Sequence, residues 1–126
     1  MVRRTSFVLA VLVLFSLVCL CAADIAGKWK SEFQSQVGAQ KYTFEFKVAD
    51  GKITGTASVD IDGTAYKAKI TDGKIDGDKI TISEELDYNG SPLPIEYKGT
   101  ISGDEMKVER TVQGQSDGTI TIKRVK

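Results

Sequence analysis

The chain has 126 residues, with 17 basic and 17 acidic side chains and no histidine. Lack of any imidazole excludes serine triads, cysteine–histidine pairs and the common catalytic zinc sites. The balanced charge argues against a protein that grips nucleic acid or anionic membrane by bulk electrostatics.

Met1–Ala23 reads as a signal peptide: Arg3 and Arg4 at the start, an apolar run from Phe7 to Leu20, and the small-residue end Cys21-Ala22-Ala23. The run is about 14 residues, short of the roughly 20 that a membrane-spanning helix needs, with an uncleaved anchor as the alternative. Val18 and Leu20, which precede Cys19 and Cys21, are the wrong residues for a lipoprotein site. Cleavage after Ala23 would remove both cysteines together with Arg3 and Arg4. The remainder, 24–126, would carry 15 basic against 17 acidic groups and no thiol. The expected destination is secreted or periplasmic, with no membrane span once the leader is gone, and stability would rest on the core alone.

From Asp24 onward, apolar residues alternate with polar ones at a period of two, and no stretch shows helical spacing. The first strand runs near Ala26 to Phe33, with Ile25, Trp29 and Phe33 on one face. The second places Tyr42, Phe44, Phe46 and Val48 against Lys41, Thr43, Glu45 and Lys47. Asp50-Gly51, Asp62-Gly63, Gly77-Asp78 and Gly103-Asp104 then read as two-residue hairpin turns. They set Val48 opposite Ile53, Phe46 opposite Gly55, Val59 opposite Tyr66, Ala57 opposite Ala68, Ile75 opposite Ile80, and Ile101 opposite Met106. Every pairing puts small or apolar on apolar, as a true register requires. A phase change between Ile70 and Ile75 calls for a bulge near Asp72-Gly73. Longer connections are expected at Gln34–Ala39, Asn89–Pro92 and Gln113–Asp117. The sum is an all-β, eight-stranded antiparallel up-and-down β-barrel, in which closure buries the apolar face and removes both edges.

Two charges break the apolar face. Glu84 is in phase with Ile82 and Leu86, and Arg110 with Met106 and Val108. If Tyr88 pairs with Leu93, Glu84 falls opposite Tyr97, and the Gly103-Asp104 register puts Tyr97 opposite Arg110. An inward row Glu84–Tyr97–Arg110 follows, its two ions compensating each other. The row is either a structural ion pair or a polar anchor for a ligand in an apolar cavity. Tyr42, Tyr66 and Tyr88 face inward as well, and Gly55, Ala57 and Ala68 are expected to leave room beside them. Glycoside hydrolysis commonly needs two carboxylates about 5–10 Å apart, whereas Glu84 is the one inward acid; Glu32, Glu45, Glu85, Glu96, Glu105 and Glu109 face outward. Asp60, Asp62, Asp76 and Asp78 are read as turn residues rather than calcium ligands, so no metal or cofactor is expected.

Gly27-Lys28-Trp29, with Arg124 near the end of the last strand, resembles the lipocalin and calycin signature. That resemblance implies a lipocalin-like barrel closed at one end by Gly27 and Trp29, with Arg124 packed across the indole. Gly27–Phe33, Tyr97–Glu105 and the ending Lys123–Lys126 also resemble small secreted bacterial modules found with polysaccharide-degrading enzymes, some of which carry a xylanase or hydrolase label. The expectation is an exported monomer that binds a small molecule or glycan through Glu84, Tyr97, Arg110, Tyr42, Tyr66 and Tyr88, with no catalytic residue. Two alternatives stand beside it: a xylanase-like polysaccharide hydrolase or its accessory module, and a filled barrel that serves as a protein-interaction scaffold.

Overall fold

A computed structural model of the chain describes residues 25–126. The leader reading of Met1–Ala23 lies outside the described residues. Eight strands follow in order: β1 (Gly27–Ser35), β2 (Gly38–Ala49), β3 (Lys52–Ile61), β4 (Thr64–Asp76), β5 (Lys79–Tyr88), β6 (Ser91–Ser102), β7 (Glu105–Val112) and β8 (Gln115–Arg124). Each pairs antiparallel with the next and β8 returns to β1, so the sheet is a closed barrel. The cause is visible in β2: Tyr42, Phe44 and Phe46 are buried, while Lys41, Glu45 and Lys47 are exposed. With no helix among the described residues to cover that apolar face, the sheet hides it by curling onto itself.

All seven connections are two-residue turns. At Asp50-Gly51, Asp62-Gly63, Asn89-Gly90 and Gln113-Gly114 both central residues have positive φ, the backbone that matches strand twist. The Gln36-Val37 turn is held differently. The Ser35 hydroxyl accepts from the Val37 N–H at 3.3 Å and donates to the Gly38 carbonyl at 3.1 Å.

The longer connections expected at Gln34–Ala39, Asn89–Pro92 and Gln113–Asp117 are therefore not found. Pro92 and Pro94 lie inside β6, paired with Asp87 and Glu85 of β5. The β6–β7 ladder begins only at Ile95↔Val112, so the prolines' missing N–H groups sit beyond the end of β7 and remove no ladder bond on that side. The tight Asn89-Gly90 turn also moves a register. Tyr88 pairs with Ser91 and Leu86 with Leu93, so Ile82, and not Glu84, stands opposite Tyr97. The displacement is two residues, which leaves every side chain on its expected face.

The other hairpin registers are as the turns dictate, from Val48↔Ile53 to Ile101↔Met106. The phase change in β4 falls at Thr71, which has no partner between Ile70↔Glu84 and Asp72↔Ser83.

Three turns, the chain end and Ile25 gather at one end of the barrel, and this end is filled. Trp29, Phe44 and Met106 are fully buried there. The Trp29 indole N–H donates to the Ile25 carbonyl at 2.9 Å, and the Arg124 guanidinium lies 4.4 Å from the indole centroid. Gly55 does not leave the room expected of it. A Cβ there would stand 2.0 Å from the Glu45 carbonyl oxygen, so the backbone of β2 already occupies that space. Gly99 does the same for Lys107 of β7, at 1.9 Å. Both glycines allow the close strand approach that bends a barrel wall.

Candidate functional site

The opposite end carries the turns Gln36-Val37, Asp62-Gly63, Asn89-Gly90 and Gln113-Gly114. Between them opens a cavity of about 340 Å³, walled by Ile61, Leu86, Leu93 and Val112, edged by Tyr88 and by Gln36, Gln113 and Gln115, and reaching Gln40, Arg110 and Asp117.

Beneath this mouth lies one hydrogen-bonded network. Tyr42 donates its hydroxyl to Glu84 Oε2 at 2.9 Å, and Tyr97 donates to Glu84 Oε1 at 2.7 Å. Arg110 in turn donates to both phenols, through Nε to Tyr97 at 3.5 Å and through Nη2 to Tyr42 at 3.2 Å. Nη2 also reaches Gln40 Oε1 at 3.4 Å, whose own amide donates to Ser35 Oγ at 2.7 Å. The guanidinium lies against two mutually stacked aromatic rings, 5.0 Å from the Phe33 centroid and 5.6 Å from that of Tyr42.

The strands explain the meeting. Glu84, Tyr97 and Arg110 come from β5, β6 and β7 on one wall, while Gln40 and Tyr42 reach them from β2 across the lumen. Glu84 and Arg110 are each only 2 % exposed, and they are linked through phenols rather than in direct contact. The phenols stand between, each accepting from the cation and donating to the carboxylate. Arg110's ion-pair partner is Asp117 of β8.

Asp117 is inward because of a bulge. Glu109 pairs with Thr119 and Thr111 with Ser116, so Arg110 faces two residues, Asp117 and Gly118, where one would fit. Gly118 takes a φ of +94°, a backbone that suits glycine. In the uninterrupted phase of Ile120 and Ile122, Asp117 would point outward. It joins Glu84 as a second carboxylate on the inside, where the sequence reading had one. Gln40 was missed as well. Its phase with Tyr42 was the available signal, obscured by placing Ala39 in a loop.

Of the remaining candidates, Tyr88 edges the mouth and Tyr66 supports it from β4, their ring centroids 5.1 Å apart. Gly27, Trp29 and Arg124 sit at the far end, away from this cavity.

Burial raises the Glu84 carboxyl above its ordinary value, and the hydrogen bonds from Tyr97 and Tyr42 with the charge of Arg110 oppose that rise without cancelling it. Burial first, then the Glu84 charge, pushes the phenols of Tyr42 and Tyr97 above 10.0. Burial works against the Arg110 cation, but the pull of Tyr97 and Tyr42 outweighs it and holds the proton. No buried side-chain nitrogen or oxygen among the described residues lacks a partner.

The chain has the fold of two redesigned β-barrels. One, b11L5F_LGL, superposes with a TM-score of 0.68 at 18% identity over 81% of this chain and 92% of its own. The other, mFAP1, was solved bound to DFHBI and gives a TM-score of 0.63 at 16% identity over 79% of this chain and 94% of its own. At such identities the likeness is one of fold. No protein-family model and no curated protein matches the chain.

Proposed function

We propose that this protein is an exported, non-catalytic receptor that holds a small polar ligand, a sugar or a sugar-sized molecule, in the mouth of a lipocalin-like barrel. The observation that carries the reading is the mouth cavity of about 340 Å³, which sets four apolar walls and an aromatic edge against amides and a fixed guanidinium. A mostly apolar hollow with a few held polar groups is the usual make-up of a small-molecule site. The barrel mFAP1, of similar fold, holds the small molecule DFHBI. Export is supported by the leader-like Met1–Ala23. The stacked Trp29 and Arg124 support the calycin likeness, and the likeness to modules beside polysaccharide-degrading enzymes makes sugars the first ligands to try.

Hydrolysis is the weaker reading, although Asp117 now joins Glu84. Both Glu84 oxygens already accept phenol protons, and the group is shut beneath Tyr42 and Tyr97. Asp117 is tied to Arg110. Neither is placed to protonate a leaving group or attack a sugar. The filled-scaffold reading draws on the packed far end, and a melting series separates it from the receptor. Monosaccharides, xylo-oligosaccharides and DFHBI are titrated in turn. A receptor's melting temperature rises with ligand concentration, by the equivalent of about 2.7 kcal/mol at a hundredfold excess over Kd. The rise should vanish when Leu93→Trp fills the mouth. A flat response to every member overturns the receptor reading.

A further inference from the structure

We propose, on the basis of the receptor reading, that the ligand of the mouth carries a protonated amine, held by Asp117, on a ring-sized body that lies against the apolar wall. The cavity is divided into two sides. Ile61, Leu86, Tyr88 and Leu93, from β3, β5 and β6, make it apolar on one side. Gln36, Gln40, Gln115, Ser116 and Asp117, from the first hairpin and β8, make it polar on the other. At about 340 Å³ it stands at the small end of ligand cavities, the size for a compact molecule with one apolar face and one polar edge.

Two charged side chains reach the cavity, Arg110 and Asp117, and they are not equally open to a ligand. Arg110 is 2 % exposed, and each of its three nitrogens already donates: Nε to Tyr97, Nη1 to Asp117, and Nη2 to Tyr42 and Gln40. An anion entering the mouth meets a guanidinium whose nitrogens are all engaged. The Asp117 side chain is 21 % exposed, and its Oδ2 is the oxygen that accepts from Arg110. Oδ1 has no protein partner among the described residues, and since no buried side-chain oxygen among them lacks one, Oδ1 is open to solvent. The mouth thus offers a carboxylate oxygen and withholds its cation. A hydrogen bond from an ammonium to such an oxygen is roughly twice as strong as one between neutral groups, which favours an amine over a hydroxyl. Glu84 is a second carboxyl group in the same network, linked to Arg110 through the phenols, so with both acids ionised the network is one positive charge short.

The rim has the same bias. Within two residues of the four mouth turns stand Asp60, Asp62 and Asp87, all exposed, and no lysine or arginine. Asp60 and Asp87 are held in place by accepting the N–H groups of Gly63 and Gly90, at 2.8 and 3.1 Å. Fixed negative charge around an opening draws cations toward it. Tyr88 at the edge adds an aromatic ring, a surface that attracts a cation as well as an apolar body.

The test is calorimetric titration of the purified protein at about pH 6, where the amines are protonated. Phenethylamine is compared with phenethyl alcohol and phenylacetate, and glucosamine with glucose. At least one amine should bind at least about tenfold more tightly than its neutral partner, and the pair that shows the gap tells an aromatic body from a sugar. Asp117→Asn keeps the shape of the acceptor and removes its charge, so it should close that gap in a barrel that still melts cooperatively. Neutral partners that match both amines, phenylacetate that matches phenethylamine where the aromatic pair shows the gap, or a gap that persists in folded Asp117→Asn overturns the proposal. Should that variant fail to fold, the matched compounds on the unaltered protein decide. Binding by neutral sugars without preference for the amine leaves the receptor standing and overturns the ammonium; silence from every compound, the sugars and DFHBI included, overturns both.

Discussion

Asp117 meets the Arg110 guanidinium only because β8 carries one residue more than β7 opposite that arginine. Gly118 absorbs the extra length, and the bulge turns an otherwise outward aspartate into the cation's partner. A single backbone irregularity thus decides the charge balance of the whole lumen.

Removing that carboxylate tests the relationship. Asp117→Ala leaves Arg110 with the neutral acceptors Tyr97, Tyr42 and Gln40 and with Glu84 behind the phenols. Asp117 keeps some exposure, so solvent replaces part of the lost attraction, and a cost of about 1–3 kcal/mol is expected. It should appear as a lower urea midpoint with an unchanged m-value. An unmoved midpoint means that the pair contributes nothing to folding.

The network's centre is more costly to disturb. Arg110→Met removes the cation that acts on the buried Glu84, and breaking a buried charge arrangement from one side costs about 3–5 kcal/mol. Glu84→Gln added to Arg110→Met should recover part of the loss, because no uncompensated charge then remains. A double variant as unstable as the sum of the single ones shows that the two residues act independently.

The closed end has its own reporter, since Trp29 is the protein's single tryptophan. Arg124 covers the indole and also holds Asp104 Oδ1 at 2.9 Å and the Ala26 carbonyl at 3.0 Å. Arg124→Leu should cost about 1–2 kcal/mol from the lost cation–π contact and hydrogen bonds, and should shift the tryptophan emission. Emission identical to that of the parent would show that the guanidinium does not shape the indole's surroundings.

How much of this was legible in the sequence depends on which residue makes each turn. Asp50-Gly51 and Asp62-Gly63 announce positive φ at both positions, and their registers could be read directly. Gln113-Gly114 adopts the same backbone, φ 51° and 83°, but glutamine is no turn former, so the turn looked like a longer loop. Pro92 and Pro94 misled for the opposite reason. They are strong breakers that here fall beyond the end of a neighbouring strand, a fact set by tertiary structure. The inward placing of Glu84, Tyr97 and Arg110 followed from parity and withstood a two-residue register displacement. Asp117 could not follow from parity, because a bulge resets it.

The phenols of Tyr42 and Tyr97 supply a prediction at alkaline pH. Both are raised above 10.0 in the barrel, so the folded state keeps protons that the unfolded chain releases, and stability falls as the pH climbs past that value. Phenolate absorbance should show a late step that coincides with unfolding, and the step should shrink in Tyr42→Phe. A Tyr42→Phe titration that superposes on the parent's would mean that Tyr42 ionises freely in the native barrel.

Glu84 gives the acid-side counterpart, and its sign runs the same way. Its folded pKa lies above the ordinary 4.5, because burial outweighs the phenol hydrogen bonds and Arg110. In the window just above 4.5 the barrel therefore binds a proton that the unfolded chain has lost. The stability due to this group is complete below that value and declines as the pH rises through the folded pKa. Asp104 pulls the other way. Lys126, then Arg124, lower its carboxyl pKa, so it stabilises the fold above its unfolded pKa and loses that contribution in acid. Comparing the parent with Glu84→Gln cancels Asp104, since both proteins carry it. The difference in unfolding free energy should move in favour of the glutamine variant as the pH rises from about 4 to neutrality. Movement in favour of the parent would place the folded pKa below 4.5, with the phenols and Arg110 prevailing over burial.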